Sequence, residues 1–419
     1  THRDTEILGD EEGTFAFFTS ERFLVVSGSG DTDSVRSLSL AERILDVNPG
    51  QSLGRSKDYR DAVAEIPGER HLLFYGRLDP LPQVEKLKEE MSTEGNVEPE
   101  MLALMDKLAE MAGDVRGSAA SLSFAPNGLV AESYAVIESG SELLEFIQPA
   151  GGSGSFHQRV PGNPRFMYGF NFNAQATWSW MRPNVIDQLQ EVAQGLADAE
   201  ESLRREVGIA LEEDIIKQIK GEMMILIDQV AMVGSDAVLY LQVDRPDAFR
   251  ETLDKMVAYA KSEAEEGQPS FAADEVGGIS FHKIIIPPFA ELCVGLVDDY
   301  FVVTSTRARF AQIVAGEQGF TGAIEYERLT DAIQRTPCSI FYLDLELIHQ
   351  LLSAFGGLIS QGQQGGPQMA AFILQSLQLE HMLVTYFAED GGVRATLRIE
   401  SGRPDFWDGV ADLATSMAQ

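Results

Sequence analysis

Apolar and polar residues alternate over many short stretches of this chain. "FAFFT" (15–19) and "RFLVVS" (22–27) flank a short turn, and so do "AELCVGLV" (290–297) and "YFVVTS" (300–305). "HLLFYGRL", "EMMILIDQV", "DAVLYLQV", "GISFHKIII", "SIFYLDL" and "RATLRIES" read as further strands. Alternation of this kind predicts largely antiparallel sheet with one solvated face. Helical spacing marks 56–66, 324–335 and 246–265, where Pro246 suits a first helical turn. Residues 184–220 also read as helix: Val185, Leu189, Val192, Leu196, Ala199 and Leu203 recur at spacings of four and three. That stripe fits either a long amphipathic helix on its own sheet or a coiled-coil seam. Together the elements predict an α+β fold of mainly antiparallel sheet covered by helices.

The pattern is written twice. "DYRDAVAEIPGERHLLFYGRLD" (58–79) lies over "EYERLTDAIQRTPCSIFYLDLE" (325–346), without a gap and 267 positions apart. Tyr59 falls on Tyr326, Ile66 on Ile333, Phe74 on Phe341, Tyr75 on Tyr342 and Leu78 on Leu345. Upstream, "SERFLVVSGS" matches "VDDYFVVTST" at an offset of 277, the extra 10 residues falling in a turn-rich loop. Downstream, "APNGLVAESYAVIES" resembles "AEDGGVRATLRIES", with Asn127-Gly128 and Asp390-Gly391 as tight-turn signals. Two related units are expected: 1–150, read as lacking its N-terminal part and so expected to continue upstream of Thr1, and 167–403, with a Gly/Pro-rich boundary at 151–166 and a closing helix at 404–419. "VPGNPRFMYGFNFN" echoes "IPGERHLLFYGRLD" as a third use of one strand pattern.

Charge narrows the possible roles. The 419 residues hold 65 acidic and 32 basic side chains, a formal charge of −33. Such a surface repels phosphate backbones and anionic lipid head groups, which disfavours nucleic acid and polybasic membrane docking. It fits a solvated acidic surface, with specific cation binding as the alternative. No apolar run reaches the ~18 residues of a membrane span. Cys293 and Cys338 make neither a disulfide framework nor a zinc cluster; they are one disulfide or two buried thiols.

Catalytic signatures are sparse. Gly28-x-Gly30 follows a strand as in a dinucleotide turn, but Asp33 stands where the third glycine belongs. Asp31, Asp33 and Glu42 occupy positions one, three and twelve of a calcium loop, whose sixth position is Arg36 instead of Gly. Helix capping by Asp31 or Asp33 explains them as well. Asp298-Asp299 fit a solvated turn. The six histidines have no ligand spacing, and Glu380-His381 lacks a third partner. No cofactor is implied. The apolar candidates are Leu351, Leu352, Phe355, Leu358, Phe372 and Ile373 in the helical stretch 346–379, and Trp178 and Trp180, read on a strand or turn. The first unit's counterpart to that stretch is Met-rich (Met91, Met101, Met105, Met111).

"LEEDIIKQIKGEMMILID", "AVLYLQVDRPDAFRETLDKM", "GGISFHKII", "LVDDYFVVTSTRARFAQIV" and "CSIFYLDLELIHQLL" resemble a bacterial family of exported or envelope proteins known only as a domain of unknown function. The likeness spans about 160–402 and, through the repeat, much of 14–139. It implies an extracytoplasmic location and supplies no catalytic residues. The expected role is a non-enzymatic binding or assembly protein with a protein partner or self-assembly. The alternatives are a carrier of a hydrophobic small molecule, with a pocket of a few hundred cubic ångströms lined by the helices of 346–379, and a hydrolase with dispersed residues.

Overall fold

The computed structural model describes residues 7–9, 15–20, 23–28, 53–66, 70–76, 84, 88, 99–147, 164–229, 236–264, 269–286, 290–316, 337–348 and 376–417. The chain divides into two compact units, Thr1–Asp61 and Ala62–Gln419. In the first, β1 (Ile7–Gly9), β2 (Phe15–Ser20) and β3 (Phe23–Gly28) form an antiparallel meander. Helix α1 (Lys57–Ala64) spans the division.

The larger unit is built on one sheet. Its strands are β4 (Leu72–Gly76), β5 (Val115–Ala125), β6 (Gly128–Ile137), β7 (Phe166–Asn171), β8 (Ile219–Gln229), β9 (Asp236–Val243), β10 (Ser270–Val276), β11 (Ile279–Ile286), β12 (Ala290–Val297), β13 (Tyr300–Thr304), β14 (Ser339–Asp344), β15 (Leu379–Glu389) and β16 (Gly392–Ser401). They run in the order β10-β11-β12-β13-β9-β8-β7-β14-β15-β16-β6-β5-β4. Neighbours pair antiparallel throughout, as the alternation predicts. Described helices are α2 (Pro99–Gly113), α3 (Glu142–Ile147), α4 (Ala174–Met181), α5 (Gln190–Ser202), α6 (Pro246–Glu263), α7 (Arg307–Val314) and α8 (Phe406–Met417).

Strand alternation sorts side chains onto two faces. The first face carries the main core: Met167, Met224, Leu226, Tyr240, Phe281, Val302, Ile340 and Leu383, with Phe310 of α7 stacked on Phe281 at 4.4 Å. Further along the same face, Ala62 and Ile66 pack on Ala119, Tyr134 and Val136. On the second face, Phe249 of α6 meets Val243, Leu296 and Phe301. At the far end of that face, Trp407 of α8 donates its Nε1–H to the Ala125 carbonyl at 2.7 Å and abuts Phe124.

Within the sheet order β14-β15-β16 run directly into β6-β5-β4. Phe74 lies opposite Ala120, and Phe341, 267 positions on, lies opposite Val384, 264 positions on. β5 bulges between Val115 and Gly117; β15 bulges between Leu379 and His381, the same place 264 positions later. Where β6 meets β16, Glu132 faces Thr396, 264 positions on. Two turn bonds repeat across that joint: Ile137 N–H to Gly391 O at 3.0 Å, and Ser401 N–H to Asn127 O at 2.9 Å.

Three sequence expectations change. The hairpin turns are Pro126-Asn127 and Asp390-Gly391, so Gly128 opens β6 and the Asn127-Gly128 pairing with Asp390-Gly391 is one residue out. The stretch 184–220 is not one helix. Leu189 is extended (φ −96°, ψ 96°), Gly208 is left-handed (φ 74°), and single π-helical turns occupy Arg182–Ile186, Leu203–Val207 and Leu211–Ile215. The stripe is therefore interrupted, and its Val192 is 50% exposed. A strand was missed: β10 joins β11 through Gly277-Gly278, both at positive φ, as a tight hairpin requires.

Candidate apolar ligand site

β7 carries "FMYGFN", so its aromatic residues fall at alternate positions and share the second face. Antiparallel pairing sets Tyr168 beside Phe341 and Phe170 beside Ser339 on β14. β15 then adds Val384 beside Phe341 and Tyr386 beside Ser339. The rings form a ladder: Phe166 edge-on to Phe341 at 5.5 Å, Tyr168 to Phe170 at 5.4 Å and Phe170 to Phe172 at 5.3 Å. Such tilted and edge-to-face contacts suit aromatic quadrupoles.

This ladder walls a cavity of about 640 Å³. Ile147 at the end of α3 and Val393 of β16 also line it. Tyr168 and Tyr386 keep much of their surface exposed, which gives the cavity a mouth of two phenols. Cys338 is also in the lining; burial pushes its thiol up, so it stays protonated and apolar at neutral pH. Cys293 is likewise free and buried, and burial pushes it up to about 11. Phe166 and Phe341 continue into a second apolar cluster with Leu343, Leu345 and Leu347.

The sheet carries buried polar pairs beside the cavity. Asn171, which also lines the cavity, pairs with Glu222, and Gln242 pairs with Tyr300, all four buried. The Tyr300 hydroxyl donates to Glu222 at 2.5 Å, and Gln242 Nε2 donates to Asp299 at 2.7 Å. Glu222 is fully buried, so it has no surface from which to meet a substrate. Asp228 of β8 pairs with Arg309 of α7; burial raises its carboxyl to about 6 despite that cation.

The sequence candidates fall in different places. Trp178 and Trp180 lie on helix α4, whose N-terminus Asn173 caps by accepting from Ala176 N–H at 2.9 Å, and not on a strand or turn. Arg182 sits over the Trp178 ring at 5.7 Å. Neither indole lines the cavity. Leu351, Leu352, Phe355, Leu358, Phe372 and Ile373 lie outside the described residues, as do Asp31, Asp33 and Glu42. The described cavity wall comes from strands and α3. Asp298 turns between β12 and β13 with φ 54°, and His381 meets the Tyr342 hydroxyl at 3.0 Å. Among the described residues no group of three or more His, Cys, Asp or Glu is placed to hold a metal ion. The ladder was legible as "FMYGFNF" only as a strand; its partners on β14 and β15 are more than 160 residues away.

The family of proteins of unknown function designated DUF3352 matches residues 11–379. The chain belongs to that family. No curated protein matches it. Two crystal forms of TP0453 are similar at low identity. Form I shares 12% identity over 58% of this chain and 74% of that one, with a TM-score of 0.26. Form IV shares 11% over 58% and 76%, with a TM-score of 0.28. Among the described residues no helix is long and apolar enough to cross a membrane.

Proposed function

We propose that this DUF3352 protein is a non-catalytic, extracytoplasmic binding protein that holds an apolar molecule against the aromatic ladder of β7 and β14. The observation that carries this is the cavity of about 640 Å³ with its mostly apolar lining, to which Asn171 and Ser339 add polar groups. Its volume lies within the range of small-molecule sites, ~300–1,000 Å³. The two tyrosines at the mouth give an amphiphile one polar edge to meet. The extracytoplasmic location follows the resemblance of the framework segments, and fractionation of the source cells tests it. The scaffold we read as two copies of one unit. The repeated register, the repeated bulge and the paired turn bonds support that reading.

Native mass spectrometry of protein purified without refolding, before and after mild organic extraction, tests the binding. The expected result is an extra mass that extraction removes. A fluorescent acyl probe should then bind the extracted protein, and Tyr386→Lys should weaken it at least tenfold with the fold intact. Extractable mass absent together with no probe binding would overturn the proposal.

A further inference from the structure

Asn171 belongs to two neighbourhoods. It lines the cavity, and across the sheet it pairs with Glu222 of β8. Its backbone is used: the N–H donates to the Cys338 carbonyl at 2.7 Å, which fixes the strand there. Its side chain is not. Asn171 is 3% exposed, yet neither its amide oxygen Oδ1 nor its amide nitrogen Nδ2 has a hydrogen-bond partner. A buried amide in that state loses its hydration and gains nothing in return, and folded proteins rarely keep such a group without a use for it. The other polar groups of the lining differ. Tyr168 and Tyr386 are exposed enough to meet water, whereas bulk water does not reach the Asn171 amide.

We infer that Asn171 anchors the polar end of the ligand, and that this end is a neutral group which both donates and accepts hydrogen bonds, as a primary amide does. This rests on the reading of the cavity as an apolar ligand site. An amide oxygen calls for a donor and an amide nitrogen for an acceptor. A primary amide offers the two side by side. An ester offers acceptors alone and leaves Oδ1 unpaired. An ionised carboxylate also only accepts, and it would bring its charge toward the buried acidic side chain of Glu222. A site with buried hydrogen-bonding groups discriminates strongly against an analogue that leaves them unpaired.

The test is competition against the fluorescent acyl probe on the extracted full chain. The competitors are a primary fatty amide and the methyl ester of the same chain length. The amide is expected to displace the probe at a concentration at least tenfold lower than the ester. Asn171→Leu removes both polar atoms at similar volume, so it should erase that difference while the probe still binds. Ser339→Ala, which removes a hydroxyl elsewhere in the lining, should leave the difference in place. Equal displacement by amide and ester overturns the inference, and so does a preference that survives Asn171→Leu. A crystal structure with the fatty amide bound adds a further arm: an ordered water that satisfies Asn171 while the amide group lies elsewhere overturns it too. Should Asn171→Leu fail to fold, the amide and ester comparison on the unaltered chain still decides. Failure of the ligand reading looks different, because the probe would then not bind at all; a probe that binds without head-group preference removes this inference alone.

Discussion

The hairpins β5–β6 and β15–β16 agree in backbone and disagree in side chains. Turn, register and bulge coincide residue for residue. Yet Tyr134 corresponds to Arg398, and Val130 to Arg394, whose guanidinium lies 5.4 Å from the Tyr134 ring. β4 and β14 extend the contrast: similar strands, one exposed and one largely buried, β4 having one neighbour among the described strands and β14 two. Burial here is therefore set by the sheet around a strand and not by the strand's own hydrophobicity. What the two hairpins share is a set of constraints on the main chain.

The largest effect should come from the tightest of those constraints. Gly128 and Gly392 stand 264 positions apart, and each lies against the backbone of the other hairpin. A Cβ on Gly128 would collide with Ile399 O, and one on Gly392 with Ala135 O, its counterpart. Gly128→Ala and Gly392→Ala should each cost on the order of 2–3 kcal/mol in urea denaturation, about equally. A large cost at one position with none at the other would break the match. Next comes truncation at matched strand positions. Ile340→Ala, in the core, should cost about 3 kcal/mol. Leu73→Ala, its exposed counterpart, should cost less than ~1 kcal/mol. Equal costs would mean that β4 is covered in the isolated chain.

A smaller effect separates the part of the sheet beyond β7, which has the Asp228–Arg309 pair. A carboxyl raised to about 6 binds more protons folded than unfolded between its ordinary range and that value. Stability should therefore fall as pH rises from about 4 to about 6. Asp228→Asn should flatten that slope, as read by thermal melts across the window. The mildest perturbation is chemical labelling. Cys338 is buried with its thiol pushed up, and its counterpart position is the exposed His71. A thiol reagent at pH 8 should leave Cys338 untouched in the native state and react rapidly with a His71→Cys variant.

The strands β4 and β14 were legible from the alternation around Phe74, Tyr75, Phe341 and Tyr342, and each pairs antiparallel with a long hairpin strand. The hairpin offset was misread by one because Asn-Gly imitates a tight turn wherever it stands, and here the glycine serves a close approach instead. Residues 184–220 misled for a different reason. Periodicity records which face is apolar, but Gly208 leaves the helical region at positive φ and ends the run locally. β10 escaped notice because an edge strand that exposes both faces shows little alternation. The cavity was beyond reach: its wall is shared by strands brought together only by the sheet order.

The joint at Glu132 and Thr396 has a kinetic meaning. It closes between segments 264 residues apart, so it is a contact of high order and carries the entropy of a long loop. Each hairpin, by contrast, closes through a two-residue turn and can form early. Because β6 and β16 present the same kind of edge to each other, a chain caught before closure can lend its β6 to the β16 of a neighbouring chain without any change of register. Refolding at high concentration should therefore favour exchanged dimers joined at this seam, and dilution should favour the closed single chain.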